Sequence, residues 1–133
     1  MRRRGFFSAS GCSLAAATAA AQDPTQPVVM PLRQRYTFEI EVVGPPKSLC
    51  HAHKLGQRFA YPQDLGKICP WLRDSMSGFL RAMEWGAVFP WDYDDTPYKK
   101  VSDPKGITTE FVRCPDPTSS GIVVKITRRA VKG

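Results

Sequence analysis

Several common signatures of function are missing from this sequence. It contains no glycine-rich phosphate loop, no nucleophile elbow and no dinucleotide-binding fingerprint, which excludes the enzyme classes that those motifs define. It has no internal repeat, which excludes a repeat architecture. The apolar stretch at residues 11–21 is short and rich in alanine, which argues against a transmembrane span. The 133 residues are enough for one domain.

Acidic residues are scarce, with 12 of them against 19 lysines and arginines, and the formal net charge is +7. Three of the arginines are residues 2–4, and without them the charge is about +4. Apart from two adjacent pairs, the other basic residues are dispersed and form no stripe interleaved with aromatic residues. Because such a stripe is the usual footprint of nucleic-acid binding, the sequence predicts no nucleic-acid partner.

The first 21 residues have the order of an export signal. Basic residues 2–4 are followed by the weakly apolar run 11–21, and no acidic residue occurs before Asp23. The run ends in three alanines, which are small enough for a signal peptidase. We therefore expect cleavage near Ala21 and a periplasmic or secreted mature protein.

The arginines also resemble the signal of a specific export route. Residues 3–7, with two arginines, a glycine and two phenylalanines, are similar to a twin-arginine signal, whose pathway exports folded proteins. An ordinary secretory signal that is rich in arginine is the alternative. Cys12 lies in this segment, so cleavage leaves an odd set of three cysteines, namely Cys50, Cys69 and Cys114.

Downstream of a proline-containing extended linker at residues 22–34, the pattern predicts one small domain at 35–133. Residues 35–43 alternate between apolar and polar side chains, which is the period-two pattern of a half-buried strand. Further short strands are predicted within residues 54–61, 107–113 and 122–128. We expect an α+β fold, with a small antiparallel sheet of three to five strands and one main helix packed on it.

The main helix is predicted to begin at Pro70 and to stop near Gly86. Its apolar side chains recur at the i, i+4, i+7, i+8 and i+11 spacing of one helix face, at Leu72, Met76, Phe79, Leu80 and Met83. Cys69 lies at the N-terminal edge of this helix, where unpaired N–H groups and the positive end of the helix dipole favour a thiolate.

Residues 87–105 are rich in aromatic residues, prolines and aspartates, and we predict that they form an ordered loop. Residues 85–98, called the aromatic loop below, are a candidate surface for a protein partner or for a homo-oligomer. Trp71, Trp85 and Trp91 are expected in the core, because aromatic residues beside a helix usually pack there. The aspartates of the loop are expected to form a solvated acidic turn, since the glycine and distal glutamate of a calcium-binding EF-hand are missing.

Three cysteines and a histidine form the most informative set of residues in the chain. Cys50 and His53 are separated by two residues, a spacing that lets one turn chelate a metal ion. Cys69 begins the helix and Cys114 follows a strand, so both can meet that pair in space. Three thiolates and one imidazole suit tetrahedral zinc and also iron. His51 is predicted to be an exposed neighbour of the site and not a ligand.

The sequence leaves two alternatives to a metal site open. Export to an oxidising compartment favours a disulfide between two of the cysteines, with one buried thiol left over and His53 merely solvated. Three free thiols are the other alternative.

The same residues lie in motifs that resemble those of a family of small bacterial and archaeal proteins without an assigned reaction. The motifs of that family are a Cys…Gly-His-Lys-x-Gly segment, a Cys-Pro step that opens a helix, and a late Cys-Pro-Asp-Pro. They are matched here at residues 50–59, 66–71 and 114–117, and the resemblance covers about residues 36–129. Ala52 stands where the family usually has glycine. The resemblance implies no reaction, and it implies functional positions at Cys50, His53, Cys69 and Cys114.

We expect an exported protein with a zinc or iron site at Cys50, His53, Cys69 and Cys114. Four protein ligands leave no open position for a substrate, which favours a structural role of the metal. One alternative is a thiol-based redox or nucleophilic enzyme that uses Cys69 with His53 as its base. The other is a non-catalytic accessory domain that docks through the aromatic loop.

Overall fold

The computed structural model describes residues 33–133, so the predicted export signal and nearly all of the predicted linker lie outside the described residues. The elements, in chain order, are β1 (Tyr36–Gly44), β2 (Arg58–Tyr61), a 3₁₀ turn (Leu65–Lys67), α1 (Pro70–Glu84), β3 (Ile107–Arg113) and β4 (Val123–Ala130). Neighbouring strands pair antiparallel in the order β2-β1-β4-β3, and α1 packs on one face of this sheet. The predicted α+β fold is confirmed, with four strands in the described sheet.

Strand β1 forms as its alternating pattern predicts. Phe38, Ile40 and Val42 are buried in the core cluster that also contains the inner face of α1. Ile40 pairs with Ile126 of β4, and Val42 pairs with Val124, which places four branched side chains together. Because β1 and β4 are the two central strands, these side chains form the middle of the core.

The helix α1 begins where the sequence predicts, with Pro70 in its first turn and Cys69 as its N-cap residue. Phe79 is half-buried, and the fully buried side chains of α1 are Leu72, Met76, Leu80 and Met83. Gly86 follows the helix at φ +89°, a left-handed conformation that glycine adopts without strain. The amphipathic spacing therefore predicts both the helix and its buried face correctly.

The described helices are too short to span a membrane. The longest of them, α1, has 15 residues and contains four charged side chains, at Arg73, Asp74, Arg81 and Glu84. A transmembrane helix needs about 20 predominantly apolar residues. Within residues 33–133, no helix combines the length and the apolar character that a membrane crossing needs.

The three tryptophans are exposed, and the prediction that they lie in the core is wrong. Trp71 and Trp85 are 61% and 66% exposed, and Trp91 is 44% exposed. At about 100° per residue, positions 71 and 85 fall on the side of α1 opposite its buried residues. Burial follows from the angular position of a residue on the helix and not from its proximity to the helix.

The aromatic loop contains neither helix nor strand, as expected for a loop. Phe89 stacks on Trp91 with the ring centroids 4.8 Å apart, and both rings meet Phe79 of α1 edge-on. The carboxylates of the loop are exposed, at Asp92, Asp94 and Asp95. The loop thus packs some of its aromatic rings inward and presents its charges to solvent.

A buried ion pair holds the aromatic loop against β3. The side chains of Lys100 and Glu110 are only 3% and 1% exposed, and Lys100 Nζ lies 3.1 Å from Glu110 Oε2. Lys100 Nζ also donates to Phe89 O at 3.1 Å and to Trp91 O at 2.6 Å. The hydroxyl of Tyr93 donates to Glu110 Oε1. The loop is therefore fixed by charge as well as by aromatic packing.

Arg128 of β4 is another buried charge, at 1% exposure. Its Nη1 donates to Met83 O and to Ala87 O, both at 2.9 Å, at the C-terminal end of α1. Its Nη2 donates to Thr108 Oγ1 at 3.1 Å, and the guanidinium lies 4.4 Å from the ring centroid of Tyr36. These contacts join the end of α1 to the sheet.

Candidate cysteine–histidine site

The strand pairing brings two cysteine-bearing loops to the same end of the sheet. Gly44, at the end of β1, and Arg113, at the end of β3, both pair with Val123 at the start of β4. The connection after β1 carries Cys50, and the connection from β3 to β4 begins with Cys114. Antiparallel pairing therefore places two cysteines that are remote in sequence at one end of the fold.

The helix α1 is tied to the first of these loops through His53. The N–H of Cys69 donates to His53 Nε2 at 2.9 Å. The side chain of Cys69, the N-cap residue, makes no hydrogen bond to the start of the helix. The bond to His53 satisfies the N–H of Cys69, which is one of the backbone donors that the start of a helix leaves unpaired. The structure thus makes Cys69 and His53 direct neighbours.

In this arrangement His53 is a buried, neutral imidazole. It is 5% exposed, and its ring meets Phe59 edge-on with the centroids 5.3 Å apart. Since Nε2 accepts from the Cys69 amide, the ring proton lies on Nδ1, which is 3.2 Å from Gln57 Oε1 and donates to it. Both ring nitrogens therefore have polar partners. His51 is exposed, in agreement with the sequence-based prediction.

A glycine turn holds the His53 loop against β1. Gly56 has φ +82°, in the left-handed region that glycine adopts without strain, and its N–H donates to Val42 O at 2.8 Å. Val42 N–H in turn donates to Gln57 O at 2.9 Å. The turn lets Gln57 Oε1 accept from Lys54 N–H at 3.3 Å as well as from the His53 ring. The orientation of His53 thus depends on one tight turn.

Hydrogen bonds fasten the Cys50 loop to the connection that follows β3. Leu49 N–H donates to Ser119 O at 3.0 Å, and Ser120 Oγ–H donates to Leu49 O at 3.4 Å. Cys50 N–H donates to Ser48 Oγ at 3.3 Å. The two loops are therefore joined through their backbones and serines, beside the thiols that they carry.

All three described cysteines pack against one apolar cluster. Cys114 is buried within this cluster, and its N–H donates to Ile122 O at 2.8 Å. Cys50 and Cys69 are half-buried and contact the same cluster from its edge. The three thiols are free, so the pairing that the disulfide alternative requires is not formed among them.

The four predicted ligands gather at one end of the fold without forming a closed ligand set. Within residues 33–133, no three His, Cys, Asp or Glu side chains lie close enough together to hold one metal ion. A metal on His53 would replace one of its two hydrogen bonds, either to the Cys69 amide or to Gln57. A cavity of about 190 Å³ borders Cys50 and His53.

Several polar contacts of this region are not evident from the sequence. Gln57 reaches His53 only because the turn at Gly56 reverses the chain, and Gly56 is the only local signal of that turn. Ser48 and Ser120 support the two loops only because strand pairing brings those loops together. No spacing rule in the sequence predicts these partners.

Comparisons of the chain with family models, with curated proteins and with solved structures found no match. The resemblance to the small bacterial and archaeal family stays a prediction. The function is therefore inferred from the residues of this chain alone.

Proposed function

We propose that this is an exported protein that binds one zinc or iron ion through Cys50, His53, Cys69 and Cys114. The observation that carries the proposal is the convergence of three separate segments at one end of the sheet, with the Cys69 amide 2.9 Å from His53 Nε2. Thiolates together with an imidazole are a donor set that tetrahedral zinc prefers and that iron also accepts.

The proposed role of the metal is to hold the domain together. Its ligands come from the loop after β1, from the start of α1 and from the connection after β3, so one ion crosslinks three segments. Four protein ligands leave no coordination position for a substrate. A domain of about 100 residues has a limited core, to which a structural metal adds stability. The twin-arginine-like signal agrees with this proposal, because its pathway exports proteins that are already folded.

Metal analysis tests the proposal directly. Protein purified anaerobically with reduced thiols is expected to contain about one zinc or iron ion per chain by mass spectrometry of the metals. Cys114→Ser and His53→Gln should lose the ion, because each removes one ligand. Chelation of the wild-type protein should lower its thermal midpoint by about 10 °C, the shift expected for a loss of about 2 kcal/mol.

His51→Gln is the matched control for His53→Gln, since His51 is an exposed imidazole two residues away. This control should keep the metal and the thermal midpoint of the wild type. A wild-type protein without stoichiometric metal would contradict the proposal. Equal metal contents in His51→Gln and His53→Gln would show that His53 is not a ligand of the metal.

The surroundings of Cys69 support a second candidate function, that of a thiol-based enzyme. Cys69 is partly exposed, lies at the N-terminus of α1 and bonds His53 through its own amide. Unpaired N–H groups and the helix dipole stabilise a thiolate at such a position. His53 can act as a base only if its Nε2 exchanges the Cys69 amide for the thiol, so this candidate requires a local rearrangement.

Alkylation rates test the second candidate in the metal-free protein. Cys69 is expected to react with iodoacetamide about tenfold faster than Cys50, which is also half-buried but lies away from a helix N-terminus. His53→Gln should slow the reaction of Cys69 and leave Cys50 unchanged, as measured by peptide mass spectrometry. Equal rates at the two thiols, insensitive to His53→Gln, would rule out an activated Cys69.

The exposed part of the aromatic loop supports the proposal that the protein docks on a partner or on a second copy. Trp85, Val88 and Trp91 remain exposed there. Phe89 and Tyr93 are held inward by aromatic packing and by the hydrogen bond to the carboxylate of β3. The proposed docking surface therefore consists of fewer side chains than the whole aromatic loop.

A further inference from the structure

The solvent side of α1 carries a stripe of residues that is centred on Gly78 and ends at the C-cap residue, namely Trp71, Asp74, Gly78, Arg81 and Trp85. Trp71 stands seven residues before Gly78, and Trp85 stands seven residues after it. At about 100° and 1.5 Å per residue, both tryptophans lie within about 20° of the direction of Gly78 and about 10 Å from it along the helix. Both are more than half exposed.

Gly78 leaves the backbone of α1 open at the middle of this stripe. An added Cβ at this position would meet no atom within 4 Å, and the residue is exposed. Glycine inside a helix costs about 1 kcal/mol relative to alanine, and no contact within the domain explains its presence here. Its absent side chain permits the close approach of another backbone.

Two opposite charges flank Gly78 on one side of the stripe. Asp74 lies four residues before it and Arg81 three residues after it, and both are exposed. They are seven residues apart, which is too far for the side-chain contacts made at i,i+3 or i,i+4 on a helix. Neither takes part in an ion pair within residues 33–133. Both charges are therefore available to a partner.

We infer that this stripe is an antiparallel homodimer interface, in which α1 of a second copy crosses α1 at Gly78. Two-fold symmetry places each residue before Gly78 opposite the residue equally far after it in the second copy. Trp71 then meets Trp85 of the second copy. Asp74 falls opposite Ala82 of the second copy, one residue away from Arg81 of that copy, so the two charges lie side by side. The same contacts occur twice in the dimer, so the stripe complements itself in shape and in charge. This surface shares only Trp85 with the aromatic loop.

The size of the stripe sets the expected strength of association. A standard protein–protein interface buries about 800 Å² of surface on each partner, and one helix face of about four turns buries less than that. Trp71 and Trp85 supply most of its apolar area, and tryptophan is one of the residue types that are enriched in interface hot spots. Arg33 stacks on Trp85 at 4.2 Å from the ring centroid and still leaves 66% of that residue exposed. We expect a reversible dimer with a dissociation constant in the micromolar range.

Sedimentation equilibrium of the purified full-length chain, from about 5 to about 500 µM, tests this inference. Wild type is expected to follow a monomer–dimer equilibrium. Asp74→Arg should raise the dissociation constant about tenfold or more, because it sets two cations side by side across the interface. Arg81→Asp should do the same with two anions. The double variant Asp74→Arg/Arg81→Asp should restore the dimer, since opposite charges face each other again.

Arg129→Asp is the matched control for Arg81→Asp, because it makes the same charge change at an exposed position of β4, outside both this stripe and the aromatic loop. It should leave the dissociation constant unchanged. Circular dichroism checks that each variant is folded, which is expected because all the changed residues are exposed. A wild type that stays monomeric over the whole range would overturn the inference. A dimer that Asp74→Arg leaves intact, or that the double variant does not restore, would overturn the proposed pairing.

Discussion

Glu110→Gln is expected to lower the free energy of unfolding by about 3–5 kcal/mol, measured by urea denaturation at neutral pH. Glutamine keeps the shape of the side chain and one accepting oxygen, but it removes the charge that lies 3.1 Å from Lys100 Nζ. The side chain of Lys100 is 3% exposed, so the variant contains a buried ammonium group without a counter-charge.

The carboxylate of Glu110 has further partners that give a second measurement. Its Oε1 accepts from the Tyr93 hydroxyl and, at 2.9 Å, from Phe111 N–H. Its Oε2 accepts no hydrogen bond of good geometry from the described residues, so its contact with Lys100 is ionic. Burial, and next the hydrogen bond to Glu110, raise the pKa of Tyr93 to about 12. In Glu110→Gln this pKa should fall, which ultraviolet titration of the phenol measures.

The exposed ion pair between Asp64 and Lys67 provides the control. Its charged atoms are 2.8 Å apart, but the Lys67 side chain is 73% exposed, so Asp64→Asn should change the stability far less. Lys100→Met combined with Glu110→Gln removes both buried charges and should recover much of the lost stability. If Glu110→Gln and Asp64→Asn lowered the free energy of unfolding by similar amounts, burial would not explain the contribution of the Lys100–Glu110 pair to stability.

Arg128→Ala is expected to lower the free energy of unfolding by about 3–4 kcal/mol, again measured by urea denaturation. The guanidinium donates to Met83 O and Ala87 O at the end of α1, where the helix dipole favours a cation. Alanine leaves these carbonyls without that donor and opens a space beside the ring of Tyr36. The end of α1 should therefore loosen from the sheet.

Arg128 is stabilised without a carboxylate from the described part of the chain. Its contacts are to main-chain oxygens, to the hydroxyl of Thr108 and to an aromatic ring. Burial lowers the pKa of Arg128 from its usual value. Arg128→Lys should thus be intermediate, because lysine keeps the charge but has no planar fork to reach both the helix and Thr108.

Arg129→Ala is the natural control, since Arg129 is the exposed next residue of β4. Adjacent strand residues point to opposite faces of the sheet, so this variant removes a charge without touching the helix end. It should change the free energy of unfolding by less than about 0.5 kcal/mol. If Arg128→Ala were as mild as Arg129→Ala, the anchoring role of Arg128 would be wrong.

The strand β1 and the helix α1 could be predicted because their signals are local. Phe38, Ile40 and Val42 repeat with the period of two that a strand imposes on its buried face. Leu72 and Met76 begin a repeat with the period of an α-helix, and Pro70 fits the first turn. Each period is a property of backbone geometry within a short segment, so it needs no information from the rest of the chain.

The buried ion pair could not be predicted in the same way. Nothing near Glu110 in the sequence shows that Lys100 folds back over it, since their contact depends on the path of the loop before β3. The pair depends on which segments meet, and local composition does not contain that information.

The exposure of two tryptophans is a different case. Trp71 lies in α1 and Trp85 directly follows it, both on the side opposite the buried residues, so their exposure follows from the period of the helix. The prediction that they lie in the core was wrong because it used their proximity to the helix and not their angular position.

By itself, the sequence determined the α+β class, because periodicity acts within short segments, and it supplied the cysteines and the histidine on which the proposed site rests. Only the tertiary structure decided that Cys50 and Cys114 lie at the same end of the sheet, since this follows from the pairing of both β1 and β3 with β4. It also decided that the Cys69 amide binds His53. Contacts between remote segments depend on the order of the strands and on where the helix packs, and that order is a property of the whole chain.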